Sequence, residues 1–242
     1  MKKLIEKIRI AFKTPDIRKK ILVTILILVV FRLLSVVPVP GVPTDVLDRF
    51  FKSPAGSFFN FVDIFTGGTL RNFSIISIGL GAYINASVIF QLLSMVVKKI
   101  EDLQKEGETG RRIINQWTRL LTVPLAALQS LGMYTVLKSV KPLSPVEIAS
   151  IVCVMTAGAM LLMWLGELLT EDGIGNGISL LIMAGIVTSI PDSIGRGVFS
   201  GEEGRKGLII ISAMTVGIVV LLVILNEATR KVEVQFAHRI RG

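Results

Sequence analysis

The sequence predicts an all-α, polytopic membrane protein with six transmembrane helices, and three observations carry the prediction. Of its 242 residues, 51% are apolar, and the mean hydropathy is +0.68. Only 19% are charged, where soluble domains carry about a quarter. Those charges are bunched, leaving six long stretches that hold one charge or none. Apolar runs of this length belong to helices that cross a bilayer.

The elements follow in chain order. Residues 1–20 carry eight Lys or Arg, interleaved with Leu4, Ile5, Ile8, Ala11 and Phe12. Those apolar positions share one helical face, so the segment reads as an amphipathic helix on the cytoplasmic lipid surface. Thr14-Pro15 then reads as a new helix start, a hydroxyl cap followed by proline. The first apolar run, residues 21–37, is broken by Arg32 and stopped at Pro38. The second, 73–97, has no charge, and the third, 120–137, contains Pro124 but no charge. The fourth, 148–169, meets Glu167 near its end. The fifth, 174–190, begins among Gly173, Gly175 and Gly177 and stops before Pro191, and the sixth is 208–225. Each is 17–25 residues long, which at about 1.5 Å per residue spans ~30 Å of hydrocarbon.

Residues 57–66 (SFFNFVDIFT) are apolar and aromatic, yet ten residues make only ~15 Å of helix. The segment is either a short helix on the outer surface or a re-entrant helix inside a protein-lined cavity. Basic residues orient the whole. With the N-terminus inside, the inner segments hold 18 Lys or Arg and the outer ones 8. Both ends of the chain are therefore expected on the cytoplasmic side. The basic charge lies on cytoplasmic loops, which favours a ribosome or acidic membrane lipids over DNA.

Several chemistries are excluded by what the sequence lacks. Cys153 is the only cysteine, so no intramolecular disulfide forms, and His238 is the only histidine, so no histidine cluster can bind a metal. His238 also lies beyond the last run, which leaves an intramembrane serine protease without its base. Gly173, Gly175 and Gly177 mimic a phosphate loop but join two membrane helices rather than a strand and a helix. No enzyme activity and no cofactor are expected. The N-terminal basic stretch is too long for a cleavable signal, and no small-residue cleavage pattern follows it. Arg32 is read as reaching the outer headgroups and Glu167 the inner ones. Asn85, Gln91 and Gln129 are neutral amides at membrane depth. Bonds between such groups are worth only about 0.6 kcal/mol, which suits a moving interface as well as a static one.

Two stretches carry a resemblance: residues 76–93 (ISIGLGAYINASVIFQLL) and 162–179 (LMWLGELLTEDGIGNGIS). Phe31-Arg32 and residues 38–42 (PVPGV), 65–68 (FTGG) and 105–112 (KEGETGRR) support it in order and spacing. Together they resemble SecY, the channel subunit of the bacterial protein translocase. The resemblance implies part of a passive channel in the cytoplasmic membrane, which moves unfolded preproteins across and releases hydrophobic segments into lipid. SecY proteins have ten spans in two inverted halves, so the chain would supply the first half and the sixth helix. On that basis residues 1–20 are the cytoplasmic N-terminal segment and 21–226 the channel half. Residues 227–242 then begin the basic loop between helices six and seven.

The resemblance also assigns roles. Phe58, Phe59, Asn60, Phe61, Val62, Ile64 and Phe65 fall in the plug that stops the closed pore. Leu80, Ile84, Ile178 and Ile182 match positions of the apolar pore ring. Asn85 and Gln129 match the polar cluster of the lateral gate. Lys105, Arg111, Arg112, Arg239 and Arg241 lie on loops that meet partners. Those partners are the SecA motor or a ribosome outside the bilayer, and SecE and SecG with the C-terminal half of the channel within it. Ala82 departs from the family, where proline is frequent, and the expectation is a straighter start to the second helix. A secondary transporter of a small solute is the alternative, favoured by the interruption at residues 173–177 and opposed by the apolar pore positions.

Overall fold

The computed structural model describes residues 14–40, 51, 63, 66–138, 144–199 and 201–228. Among them run seven helices of eight or more residues: α1 (Pro15–Val36), α2 (Gly81–Val96), α3 (Lys98–Lys105), α4 (Glu108–Lys138), α5 (Pro145–Asp172), α6 (Gly177–Phe199) and α7 (Gly201–Glu227). The only extended pairing among the described residues is an antiparallel bridge between Pro38 and Ser74. The chain divides into two compact units, residues 1–189 and 190–242.

Each of the six apolar runs lies largely on a helix, as the all-α reading requires. By length and composition alone, Pro145–Asp172 and Ile209–Glu227 are long and apolar enough to cross a membrane. The pair α2 and α3 makes a third candidate, bent by 103° at its break. The remaining helices carry polar interruptions: α1 bears Lys19, Lys20 and Arg32, and the apolar part of α6 is Gly177–Thr188.

Three boundaries differ from expectation. Residues 73–80 are a chain of turns rather than the first turns of α2. Ser74 Oγ accepts the Ile76 N–H (3.2 Å), Ser77 Oγ donates to the Ser74 carbonyl, and Gly79 adopts φ +64°. Serine side chains that bond nearby backbone compete with helix formation. The loop at 98–119 is mostly helical, broken at Gly107, where φ is +76°. α6 starts at Gly177 and stays helical through Pro191, which membrane helices tolerate when the freed carbonyl finds another donor. Of the starts of α1 and α5, only that of α5 shows a side-chain cap bond to the helix. Thr14 precedes Pro15 in an extended conformation, and Ser144 forms a capping box with Glu147.

The first unit packs around three apolar clusters. One joins Ile27 and Phe31 of α1 to Leu162, Leu165 and Leu169 of α5, with Ile76, Leu80 and Leu181. A second gathers Val39, Phe51, Leu70 and Phe73 on Ile151 and Met155. In the third, α2, α4 and α5 touch through Ala82, Ala126 and Ala159. Small residues let membrane helices approach closely, which explains alanine at position 82.

One approach is closer still. A Cβ on Gly158 of α5 would lie 1.8 Å from the Ile75 carbonyl oxygen. Gly158→Ala is therefore expected to cost about 3 kcal/mol, the upper end of overpacking penalties. Gly132→Ala on α4, which meets open space, should be neutral or stabilising by up to ~1 kcal/mol. Thermal unfolding of the full-length protein in mild detergent checks both, and equal midpoints would contradict the packing.

Candidate functional site

An apolar cavity of the first unit, about 250 Å³, lies where α1, α5 and α6 meet the turns before α2. Leu80 lines it as the N-cap of α2, and Ile84 follows one turn later, bonded through Ile84 N–H to the Leu80 carbonyl (2.9 Å). Leu181 and Ile182 line it from α6, Leu162 from α5 and Phe31 from α1. Thr66 and Thr69 also reach it, but their hydroxyls are already committed. Thr69 Oγ1 donates to the Thr66 carbonyl (3.1 Å) and Thr66 Oγ1 to the Asp63 carbonyl (3.2 Å). The lining therefore presents little that could hold water.

Three of the four expected ring positions, Leu80, Ile84 and Ile182, share this cavity. Ile178 packs instead on α5, its Cγ1 3.1 Å from where a Cβ on Gly166 would stand. The three also differ in kind. Leu80 is a buried core residue at 6% exposure, while Ile84 and Ile182 keep 39% and 36%.

Phe58, Phe59, Asn60, Phe61, Val62, Ile64 and Phe65 lie outside the described residues. The chain that follows them is tightly built. Asp63 Oδ1 accepts the N–H groups of Leu70 (2.9 Å) and Arg71 (3.0 Å), and the Asp63 carbonyl accepts that of Gly68 (3.1 Å). Sequence reasoning assigned Asp63 no role. The available signal was an acidic residue four before Gly67-Gly68, the spacing of a side chain that caps a turn. Arg32, expected to reach the outer headgroups, is exposed and has protein partners as well. Its Nη1 donates to the Gly67 carbonyl (3.4 Å) and to Ser35 Oγ (3.5 Å).

The two amides expected at the gate make no hydrogen bond to one another. Gln129 Oε1 sits 3.8 Å from where a Cβ on Gly81 would be, and Asn85 is one turn further along α2, exposed. At the other end of α2, a polar groove of about 590 Å³ separates it from α3 and α4. Gln91, Gln104 and Asn115 line it with Arg111, which makes no ion pair among the described residues. Lys105 and Arg112 are paired on their own helices, with Glu101 (2.6 Å) and Glu108 (2.8 Å). Glu167, expected to reach inner headgroups, accepts from Arg119 Nε at 2.7 Å across α4 and α5. Arg239 and Arg241 lie outside the described residues.

Residues 74–242 match the sequence model of SecY. The chain belongs to the SecY family. The protein translocase subunit SecY of Buchnera aphidicola subsp. Schizaphis graminum is 33% identical over 254 residues, covering 99% of this chain and 58% of that protein. The SecY of Halalkalibacterium halodurans is 41% identical over 245 residues, covering 96% and 56%. The chain thus spans a little over half the length of these SecY relatives. Two solved structures share its fold. Sec61 in the canine ribosome–channel complex from the endoplasmic reticulum superposes with a TM-score of 0.58 at 24% identity, covering 93% of this chain and 51% of its own. A second structure, of a protein-conducting channel, gives 0.55 at 22% identity, covering 93% and 51%.

The second SecY signature, residues 162–179, forms the corner between α5 and α6. A Cβ on Gly177 would stand 2.2 Å from the Gly166 carbonyl oxygen, and one on Gly173 2.4 Å from that of Leu169. Thr170 Oγ1 donates to the Gly166 carbonyl (2.8 Å) and accepts the Gly177 N–H (2.9 Å). Asn176 Oδ1 caps α6 by accepting the Ser179 N–H (3.1 Å). The glycines therefore serve close helix packing, with Gly175 supplying a turn at φ +70°.

Proposed function

We propose that this chain is the N-terminal part of a passive protein-conducting channel, with no enzymatic activity of its own, in the bacterial cytoplasmic membrane. The observation that carries the proposal is the apolar cavity lined by Leu80, Ile84 and Ile182 in a chain of the SecY family. An apolar constriction resists wetting and offers a passing polypeptide no polar site to adhere to. In this reading those residues and Ile178 belong to the ring, residues 57–66 to the plug, and Asn85 with Gln129 to the lateral gate. Hydrophobic segments of preproteins leave through that gate into lipid. The weak interhelical bonding expected of such amides fits an interface that opens and closes.

Work on the substrate comes from outside the bilayer. The relative Sec61 is found in a ribosome–channel complex, which supports a ribosome at the cytoplasmic loops here. The SecA motor is the other proposed driver, and SecE, SecG and the C-terminal half complete the channel in the membrane. Ten Lys or Arg lie in residues 98–119 and 227–242. Since Lys105 and Arg112 are already paired, Arg111 is the better candidate among the described residues, and Arg239 and Arg241 are proposed from the basic charge of their segment. Arg239→Glu with Arg241→Glu in the full-length protein should weaken ribosome or SecA binding, most clearly at low salt, where exposed charges act furthest. Unchanged affinity for both partners would count against the assignment.

Both ends of the chain are proposed to be cytoplasmic, from the 18-to-8 excess of Lys and Arg. With Cys153 replaced, an impermeant thiol reagent added outside should label a cysteine at Ser144 and spare one at Gln104. The reverse pattern would overturn the orientation. The secondary transporter gains no support. None of its relatives named above is a transporter, and the glycine interruption that favoured it is a packed corner between two helices.

A further inference from the structure

The turns that follow the proposed plug are held by three helices at once. The Val39 N–H donates to the Phe73 carbonyl (2.9 Å) and the Ile75 N–H to the Val37 carbonyl (3.0 Å), which ties them to the end of α1. Gly158 of α5 backs directly onto the Ile75 carbonyl. At the other end, Gly67 lies on α6. A Cβ there would stand 2.6 Å from the Gly185 carbonyl oxygen, 2.8 Å from the Gly185 Cα and 2.8 Å from Thr188 Oγ1. Two of those three atoms are backbone, so no side chain can swing aside to make room. Arg32 Nη1 meets the Gly67 carbonyl from α1. Gly185 is one helical turn from Ile182, which lines the apolar cavity.

We propose that Gly67, seated on Gly185 and clasped by Arg32, is a positioning residue that fixes the plug's point of departure to the pore-lining helix α6. The inference rests on the reading of residues 57–66 as the plug. Its content is mechanical. Backbone packed on backbone moves as one body, so a shift of α6 carries the base of the plug with it. Loss of the seat frees that base while the cavity-lining side chains stay unchanged.

The neighbouring glycine supplies a control. Gly67 and Gly68 both adopt positive φ, +71° and +82°, so alanine strains the backbone at either. Only Gly67 would also collide, since a Cβ on Gly68 meets nothing within 4 Å. Resting ion conductance is measured in planar bilayers for the full-length channel with its partner subunits. The variants are Gly67→Ala, Gly68→Ala, Arg32→Gln and a deletion of residues 57–62, each with its thermal midpoint in detergent. Gly67→Ala is expected to raise conductance about tenfold, as a modest overpacking penalty on the seated state implies. Arg32→Gln should raise it less, and Gly68→Ala should stay near wild type. If Gly67→Ala fails to accumulate, Arg32→Gln decides, because it removes a contact without adding an atom that clashes. A leaking deletion with sealed Gly67→Ala and Arg32→Gln overturns the seat and leaves the plug standing. Equal leaks from Gly67→Ala and Gly68→Ala also overturn it, since strain alone would then suffice. A sealed deletion overturns the plug reading, and this inference with it.

Discussion

In the full-length channel, Ile84→Asn together with Ile182→Asn is expected to raise resting ion conductance while expression stays near that of the wild type. Both side chains line the apolar cavity and keep more than a third of their surface exposed. An amide there adds a polar group to a surface facing open space, where it can hold water instead of standing unpaired. The constriction then wets and ions follow. Leu169→Asn is the control, because Leu169 is 0% exposed in the adjoining core and does not line the cavity. Its amide would be buried without a partner at a cost of about 1–3 kcal/mol, so it should lower stability without a leak. Single-channel recording and thermal midpoints separate the two outcomes. A destabilised Ile84/Ile182 variant with no leak would show that these isoleucines are core.

The same contrast separates the four proposed ring positions in a way the sequence could not show. The i, i+4 spacing of Leu80 with Ile84, and of Ile178 with Ile182, places each pair on one helical face. It does not say what the face meets. The structure divides each pair: Leu80 joins the core and Ile178 packs on α5 beside Gly166, while Ile84 and Ile182 keep open surface. Exposure within a cavity depends on residues far apart in the chain, such as Phe31 and Leu162, and local pattern carries no record of them.

Helix placement was easier to read, since a long apolar run leaves the backbone no other way to satisfy its polar groups in lipid. The failure at 73–80 came where that reasoning stops holding. There the Ser74 and Ser77 side chains bond local backbone, and Val37 and Val39 supply bridge partners. Hydropathy counts Phe73, Ile75 and Ile76 as one more helical stretch and is blind to partners some 35 residues away. The protein partners of Arg32 and Glu167 were hidden from the sequence for a related reason. Each finds a partner from another segment, the Gly67 carbonyl and Arg119 respectively.

The proposal that this chain is part of a channel, and insufficient alone, makes the second large prediction. The SecY relatives above are nearly twice as long as the part this chain matches, so the surfaces that the remaining helices would cover have no protein partner here. Exposed Asn85 and Gln91 on α2 would then face lipid, where unpaired polar groups are costly. The direct measurement is import of an unfolded precursor into liposomes holding the 242-residue chain, SecE, SecA and ATP, with and without a separately supplied C-terminal half of the channel. The account predicts no import from the chain with SecE alone and recovery when the second half is present. Robust import by the 242-residue chain without it would contradict the account.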